Sequence, residues 1–212
     1  MRIISCVAGC MIAWSCASSF GVAQERESDV CHIHVRSFQV PFQFSVPAKD
    51  VRDLRFHVSR DRGVTWKQIA TAKPDEKSLT VETKEDGLHC FAIQVVDQLG
   101  KVNPAKLDTT TCDLKVMVDT VPPKVELKLL EARKGEIAVT WKVSDDHLDR
   151  EATRLEYRHH PNGDWLRLSP NLATDKHFWT PLMMPIEVRL TARDLAGNTA
   201  SVAIQVREAG GS

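Results

Sequence analysis

Residues 91–100 read FAIQVVDQLG, and much further along the chain residues 186–197 read IEVRLTARDLAG. Each stretch sets apolar residues at every second position, which is the pattern of a half-buried β-strand, and each ends in an Asp-x-x-Gly turn. The two turns, at Asp97 and Asp194, are separated by about the length of one β-sandwich domain. This repetition predicts two copies of one β-domain in series.

A hairpin pattern also repeats ahead of these strands. In the first copy LRFHV (54–58) is followed by a polar turn and WKQI (66–69), and in the second LEYR (155–158) is followed by WLRL (165–168). Short strands of this kind recur about every 8–12 residues, divided by Gly, Pro, Asn and Asp, while helical periodicity is nearly absent. We therefore predict an all-β fold of two antiparallel β-sandwiches in tandem.

Paired prolines separate the two copies. Pro122 and Pro123 fix φ and lack backbone N–H donors, so the last strand of the first copy must end before them and a stiff connector follows. The boundary is predicted at residues 120–122. The predicted segments are a signal peptide at 1–23, an N-terminal lead-in at 24–35, a first sandwich at 36–120, a second at 121–207 and a flexible tail at 208–212.

Three motifs together resemble a known architecture. They are VDTVPP at 118–123, SRDRGVTW at 59–66 and the closing DLAGN at 194–198. On these residues the chain is similar to tandem bacterial immunoglobulin-like or fibronectin type III-like modules of exported proteins. The resemblance implies the β-sandwich fold and says little about function, because one fold serves many functions.

The N-terminal stretch has the pattern of a secretory signal. Arg2 precedes an apolar segment that ends in small residues at Gly21 and Ala23, where signal peptidase cuts, and a polar run begins at Gln24. After cleavage no segment is apolar enough to cross a bilayer. We therefore expect a secreted, periplasmic or cell-surface protein without a membrane span.

The charge balance excludes some classes of partner. The chain carries 28 basic and 28 acidic residues. Nucleic-acid binding depends on clustered Lys and Arg that neutralise phosphates, and binding to a membrane surface depends on a basic amphipathic segment. Because the chain shows neither pattern, we do not expect nucleic acid or a membrane surface as a partner.

The stretch SRDRGVTW raises a catalytic alternative, since its spacing resembles the Asp-box of sialidase β-propellers. A propeller needs this hairpin several times and many more strands. The residue types also suit a turn, because Asp61 can accept backbone N–H bonds, Gly63 tolerates positive φ and Trp66 can cover the hairpin. We therefore interpret Ser59, Asp61, Gly63 and Trp66 as a structural hairpin turn.

Clusters of polar residues suggest metal sites, and each has a simpler interpretation. Residues 145–149 (DDHLD) offer carboxylates for Ca²⁺ but lack the spacing of a dedicated calcium loop, so they suit a solvated loop. In CHIH (31–34) the cysteine and the histidines point to opposite faces of a strand, and the adjacent histidines at 159–160 also diverge. No metal or cofactor is expected.

The tryptophans leave one question open. Trp141 shares a strand face with Ile137, Val139 and Val143 and is predicted to lie in the core. One of the other three could present its ring to a sugar: Trp66, Trp165 or Trp179.

The cysteines outside the signal predict one disulfide. Cys31 lies on the same strand face as Ile33, and Cys112 lies on the same strand face as Leu114 and Val116, so both cysteines are predicted to point into the core. In immunoglobulin-like sandwiches the first and last strands lie parallel and side by side, which would bring the two thiols together. Cys90 lies on the strand face opposite to the apolar residues Phe91, Ile93 and Val95 and is predicted to face outward. We therefore predict a Cys31–Cys112 disulfide with Cys90 free.

The functional prediction is a non-catalytic structural or adhesive module that contacts a protein partner or a cell-surface polymer. No nucleophile motif, zinc-protease motif or glycine-rich phosphate loop occurs, so the chain is not expected to be an enzyme. A carbohydrate-binding module that uses an exposed Trp is the alternative. A metal-dependent hydrolase lacks a ligand set.

Overall fold

A computed structural model describes residues 30–44, 46–130, 136–169, 174–184 and 186–207. The chain divides into two compact units, one ending at Thr120 and the other beginning at Val121. The predicted signal peptide and the predicted tail from 208 lie outside the described residues. Within the described ranges, no helix has the length and apolar character needed to cross a bilayer.

Within its described residues, the first unit has eight short strands that follow the alternating stretches of the sequence. They are β1 (Val30–Ile33), β2 (Ser37–Pro41), β3 (Val51–Ser59), β4 (Lys67–Ala72), β5 (Ser78–Glu82), β6 (Gly87–Asp97), β7 (Val102–Asn103) and β8 (Leu114–Val118).

These strands form two sheets. The larger has the order β1-β8-β6-β3-β4, with β7 paired to β6, and the smaller joins β2 to β5. All of the pairs are antiparallel except β1 with β8, which run parallel. Apolar residues at alternate positions of both sheets fill the space between them. The main core residues are Ile33, Phe38, Val40, Phe42, Leu54, Phe56, Phe91, Ile93, Val116 and Val118.

The second unit is a second sandwich. Its strands are β9 (Lys124–Leu130), β10 (Ile137–Ser144), β11 (Leu148–Arg158), β12 (Leu166–Arg167), β13 (Lys176–Trp179), β14 (Ile186–Asp194) and β15 (Thr199–Val206). One sheet has the order β13-β10-β9 and the other β12-β11-β14-β15. Trp141 lies in the core of this unit with 7% of its surface exposed, as predicted. The predicted all-β fold of two antiparallel sandwiches is confirmed.

The Asp-x-x-Gly turns that repeat in the sequence have the same local structure. The Asp97 carboxylate accepts hydrogen bonds from the backbone N–H of Leu99 (2.9 Å) and Lys101 (2.8 Å). Asp194 accepts one from the N–H of Asn198 at 2.8 Å. The glycine of each turn has positive φ, 87° in the first and 96° in the second, which only glycine adopts at little cost. The repeat in the sequence is therefore a repeat in structure.

The first sheet begins earlier than residue 36. β1 lies within the stretch 24–35, predicted as a lead-in, and Cys31 pairs with Val116 of β8. This short parallel strand places the sequence CHIH on the edge of the larger sheet.

Candidate interaction groove

An open groove lies in the first unit between the edge strands of its two sheets. β4 is the last strand of the larger sheet and β5 is an outer strand of the smaller one. The groove between them has a volume of about 320 Å³. Its lining residues are Val58, Arg60, Lys67, Ile69, Ala70, Leu79, Thr80, Val81, Glu82, Thr83, Lys84 and His89.

The groove stays open because β4 presents small or charged residues where a closed sandwich would present large apolar ones. Ala70 pairs with Phe56, and Lys67 pairs with Val58. The register shifts by one residue between these pairs, so Ile69 is the extra residue of a bulge. A bulge bends its strand away from the regular sheet, and the two sheets therefore do not meet along this side.

The floor of the groove is apolar and its rim is cationic. Val58, Leu79 and Val81 form the floor together with Ala70. On the rim, Arg60 is ion-paired with Glu85 and donates a hydrogen bond to the backbone carbonyl of Asp86. Lys67 and Lys84 are exposed and form no ion pair with any residue that the structure describes. Glu82 also lines the groove, so the rim carries the positive charges of Lys67 and Lys84 beside one carboxylate, without a direct ion pair between them among the described residues.

One wall of the groove includes a buried histidine. His89 is 3% exposed and stacks against Phe91, with 6.4 Å between the ring centroids. Burial lowers the pKa of His89, so the ring is neutral at physiological pH. Its Nδ1 lies 2.9 Å from the carbonyl oxygen of Gly87. A carbonyl only accepts, so the proton is on Nδ1 and the lone pair is on Nε2.

The hairpin turn beside the groove satisfies its own polar groups. Gly63 donates its N–H to the Ser59 hydroxyl at 2.7 Å. The Asp61 carboxylate accepts the hydroxyl and the backbone N–H of Thr65, the latter at 2.8 Å, and the Ser59 hydroxyl at 2.7 Å. These bonds, led by the Thr65 hydroxyl, lower the pKa of Asp61 to about 2. Ser59, Asp61 and Gly63 thus lie together and hold the chain reversal.

The three tryptophans singled out for sugar stacking are all half-buried. Trp165 carries two guanidinium groups against its ring, from Arg158 at 4.5 Å and Arg189 at 3.9 Å. Trp179 packs against Tyr157 and His177. The indole nitrogens of Trp66 and Trp179 are buried.

The structure does not bring Cys31 and Cys112, the predicted disulfide partners, side by side. Cys112 is a free thiol, and the register of β6 and β8 places it near Cys90. Cys90 lies on the face of the sheet that is turned away from the core, yet it is only 1% exposed. Cys31 lies beside Val116 of β8. Val116 is four residues after Cys112, which corresponds to about 13 Å of extended chain between Cys112 and the neighbour of Cys31. A disulfide requires Cα atoms within about 7 Å.

A bulge explains why the alternation misplaced Cys112. Leu114 pairs with Phe91, yet Asp113 also donates its N–H to the Phe91 carbonyl at 2.9 Å. Asp113 and Leu114 therefore both lie opposite the single residue Phe91. This extra residue moves the side chains that precede Asp113 to the other face of the sheet. Cys112 leaves the core face that Cys31 occupies and joins the face of Cys90.

Two carboxylates of residues 145–149 accept hydrogen bonds from backbone N–H groups of nearby residues. Asp145 accepts the N–H of His147 at 2.7 Å, and Asp149 accepts those of Glu151 and Ala152 at 3.2 and 3.1 Å. Asp145 and Asp149 thus stabilise turns of the kind that short acidic side chains favour.

Comparisons with known proteins give a likeness at the level of fold. No protein-family model matches the chain, and no curated protein matches it significantly. Fibronectin(III)-like modules of Clostridium thermocellum CbhA are similar at 13% identity and a TM-score of 0.45, over 85% of this chain and 88% of that one. The FN1–FN3 domains of chicken CNTN1 are similar at 11% identity and a TM-score of 0.40, over 84% of this chain and 64% of that one. At these values the likenesses carry no conclusion about family or role.

Proposed function

We propose that this protein is a non-catalytic, exported interaction module, and that an extended segment of a protein partner binds in the groove between β4 and β5. The observation that carries this proposal is the pair of open edge strands on either side of an apolar floor with a cationic rim.

Edge strands supply the main-chain part of the binding. Among the described strands, β4 hydrogen-bonds only with β3, and β5 only with β2. Each therefore presents a row of backbone N–H and C=O groups that a further strand can pair with. Strand addition of this kind is a recurrent mode of peptide recognition, in which main-chain bonds provide affinity and side-chain pockets provide specificity.

The lining supplies the specificity. An extended peptide turns every second side chain to the same side, so apolar residues at alternate positions would lie on Val58, Leu79 and Val81. Its remaining side chains would face the rim, where Lys67 and Lys84 favour carboxylates. The groove thus suits a segment that alternates apolar and acidic residues.

Export rests on the N-terminal sequence. The signal-like pattern of residues 1–23 leads us to place the protein in the periplasm, at the cell surface or outside the cell. The segment boundaries at 23/24, 120/121 and 207/208 are part of the same proposal, with β1 assigned to the first sandwich.

The carbohydrate-binding alternative has less support. A sugar-stacking platform requires an accessible aromatic face, whereas Trp165 holds two guanidinium groups and Trp179 packs against two other rings.

The test is fluorescence anisotropy of the full chain with short labelled peptides that alternate Val with Glu, Ser or Lys. We expect the Val/Glu peptide to bind more tightly than the Val/Ser peptide and the Val/Lys peptide to bind least. Exchange of Lys67 and Lys84 for Glu should raise the dissociation constant of the Val/Glu peptide about tenfold, because each exposed ion pair contributes up to about 1 kcal/mol.

The matched control exchanges Lys49 and Lys101 for Glu, which changes the net charge equally at exposed positions outside the groove lining. This variant should bind the Val/Glu peptide as the parent protein does. If both double variants bind the Val/Glu peptide equally weakly, the effect is due to overall charge. If the parent protein binds all three peptides equally, the groove is not the binding site.

A further inference from the structure

Two thiols meet on the face of the large sheet that is turned away from the core. Cys90 belongs to β6, and the bulge at Asp113 and Leu114 brings Cys112 to the same face as a diagonal neighbour. Burial and the neighbouring Cys90 raise the pKa of the Cys112 thiol, and the Cys112 Sγ lies 3.4 Å from the carbonyl oxygen of Leu114. Cys90 is buried and Cys112 is half-buried.

The segment 104–113 is hydrogen-bonded to β6 at both of its ends, and Cys90 of β6 is buried. At one end Gln94 of β6 donates a hydrogen bond to the carbonyl of Pro104 at 2.8 Å. At the other end the Asp113 carboxylate accepts the backbone N–H of Ile93 at 3.1 Å. Between them the segment passes over the hairpin turn, where Thr109 lies against Gly63. Cys112 is therefore at the point where the segment joins β8.

We infer that Cys90 and Cys112 are a dithiol that a disulfide donor oxidises to an intramolecular disulfide, and that this bond fastens the segment 104–113 onto β6. Diagonal neighbours in a sheet have Cα atoms about 7–8 Å apart, slightly beyond the usual range for a disulfide. Bond formation must draw Cys112 toward β6, and because Cys112 precedes β8, the segment moves with it.

The chemistry is thiol–disulfide exchange with a donor RSSR, such as oxidised glutathione or an oxidised dithiol oxidoreductase. Burial raises the pKa of the Cys112 thiol to about 12, so the thiolate is scarce and the exchange is slow. When it forms, the thiolate of Cys112, the more accessible residue, attacks one donor sulfur, and the first RS⁻ leaves. The thiolate of Cys90 then attacks the Cys112 sulfur of the mixed disulfide and releases the second RS⁻. The two thiol protons pass to the released thiolates, so the protein gives up two electrons and the donor becomes two RSH.

Peptide mapping tests the pairing directly. Trypsin leaves the three cysteines that follow the predicted signal peptide on separate peptides, 27–36, 85–101 and 107–115. The full chain is incubated with oxidised glutathione, alkylated and digested under non-reducing conditions. We expect a linked pair of the 85–101 and 107–115 peptides, about 2 Da lighter than their sum, with the 27–36 peptide alkylated.

Two variants and a second readout separate the outcomes. Cys31→Ser should keep the linked pair, and Cys112→Ser should lose it. Brief trypsin treatment of the native protein should cut after the exposed Lys106 more slowly in the oxidised than in the reduced form, and Cys112→Ser should abolish this difference. A link between 27–36 and 107–115, or complete alkylation of all three peptides after oxidation, would overturn the inference.

Discussion

Gly63 shows how much one backbone conformation contributes to the first unit. Its φ of 91° belongs to the region that favours glycine, and a Cβ added there would lie 2.9 Å from the Cα of Thr109. The sequence indicated a turn glycine from the spacing of SRDRGVTW. It could not indicate the close approach of Thr109, because that contact joins residues far apart in the chain.

Replacement of Gly63 by alanine is expected to lower the free energy of unfolding by about 2–3 kcal/mol, through strain at positive φ and the displacement of Thr109. Gly87→Ala is the matched control, since Gly87 has φ 122° and nothing within 4 Å of an added Cβ. Its cost should be smaller, about 1–2 kcal/mol. Urea denaturation of both variants measures the difference. If both lose the same free energy of unfolding, Thr109 moves away from the added Cβ without a measurable cost.

At the scale of elements, the alternation of apolar residues predicted strands well and bulges poorly. Trp141 lies in the core as its strand pattern indicated. Cys112 does not face the core, because one extra residue at the start of β8 reverses which face the preceding side chains occupy. The alternation also did not predict the groove, because the groove lies between β4 and β5, which belong to different sheets. The small Ala70 and Ala72 beside Lys67 were the signal that could have suggested it.

Between β11 and β14, charged residues form two cross-strand pairs beneath Trp165. Arg158 meets Glu187 and Arg189 meets Glu156, each at 2.7 Å. Because the indole covers both guanidinium groups, it restricts their access to water and strengthens both pairs.

Trp165→Ala is expected to destabilise the protein by about 2 kcal/mol, the sum of two partly shielded cation–π contacts. Trp165→Phe should cost less, because a smaller ring retains part of the interaction. Thermal unfolding of the two variants and the parent checks this order. A cost of Trp165→Phe equal to that of Trp165→Ala would assign the effect to burial specific to the indole.

At the scale of the molecule, each unit has a hydrophobic core of its own. The core residues of the first unit all precede Thr120, and those of the second all follow Val121. The paired prolines in the sequence indicated this division, because they end strand pairing at a fixed point.

Residues 121–212, produced alone, are expected to fold into a β-rich domain with one cooperative thermal transition. Trp141 is buried in this unit and reports the transition through a red shift of its fluorescence as it becomes exposed. Circular dichroism provides the secondary-structure readout. A gradual, non-cooperative change in both signals would show that the second core depends on the first unit.

The cationic rim also bears on how this protein behaves at high concentration. Open strand edges are templates on which copies of a protein join into fibrils. Lys67 and Lys84 place like charges wherever two such edges of the same protein approach, so self-assembly is opposed while a carboxylate-bearing strand is admitted. The same two side chains thus serve solubility and partner choice, and chemical neutralisation of both amines would favour aggregation even though the core is unchanged.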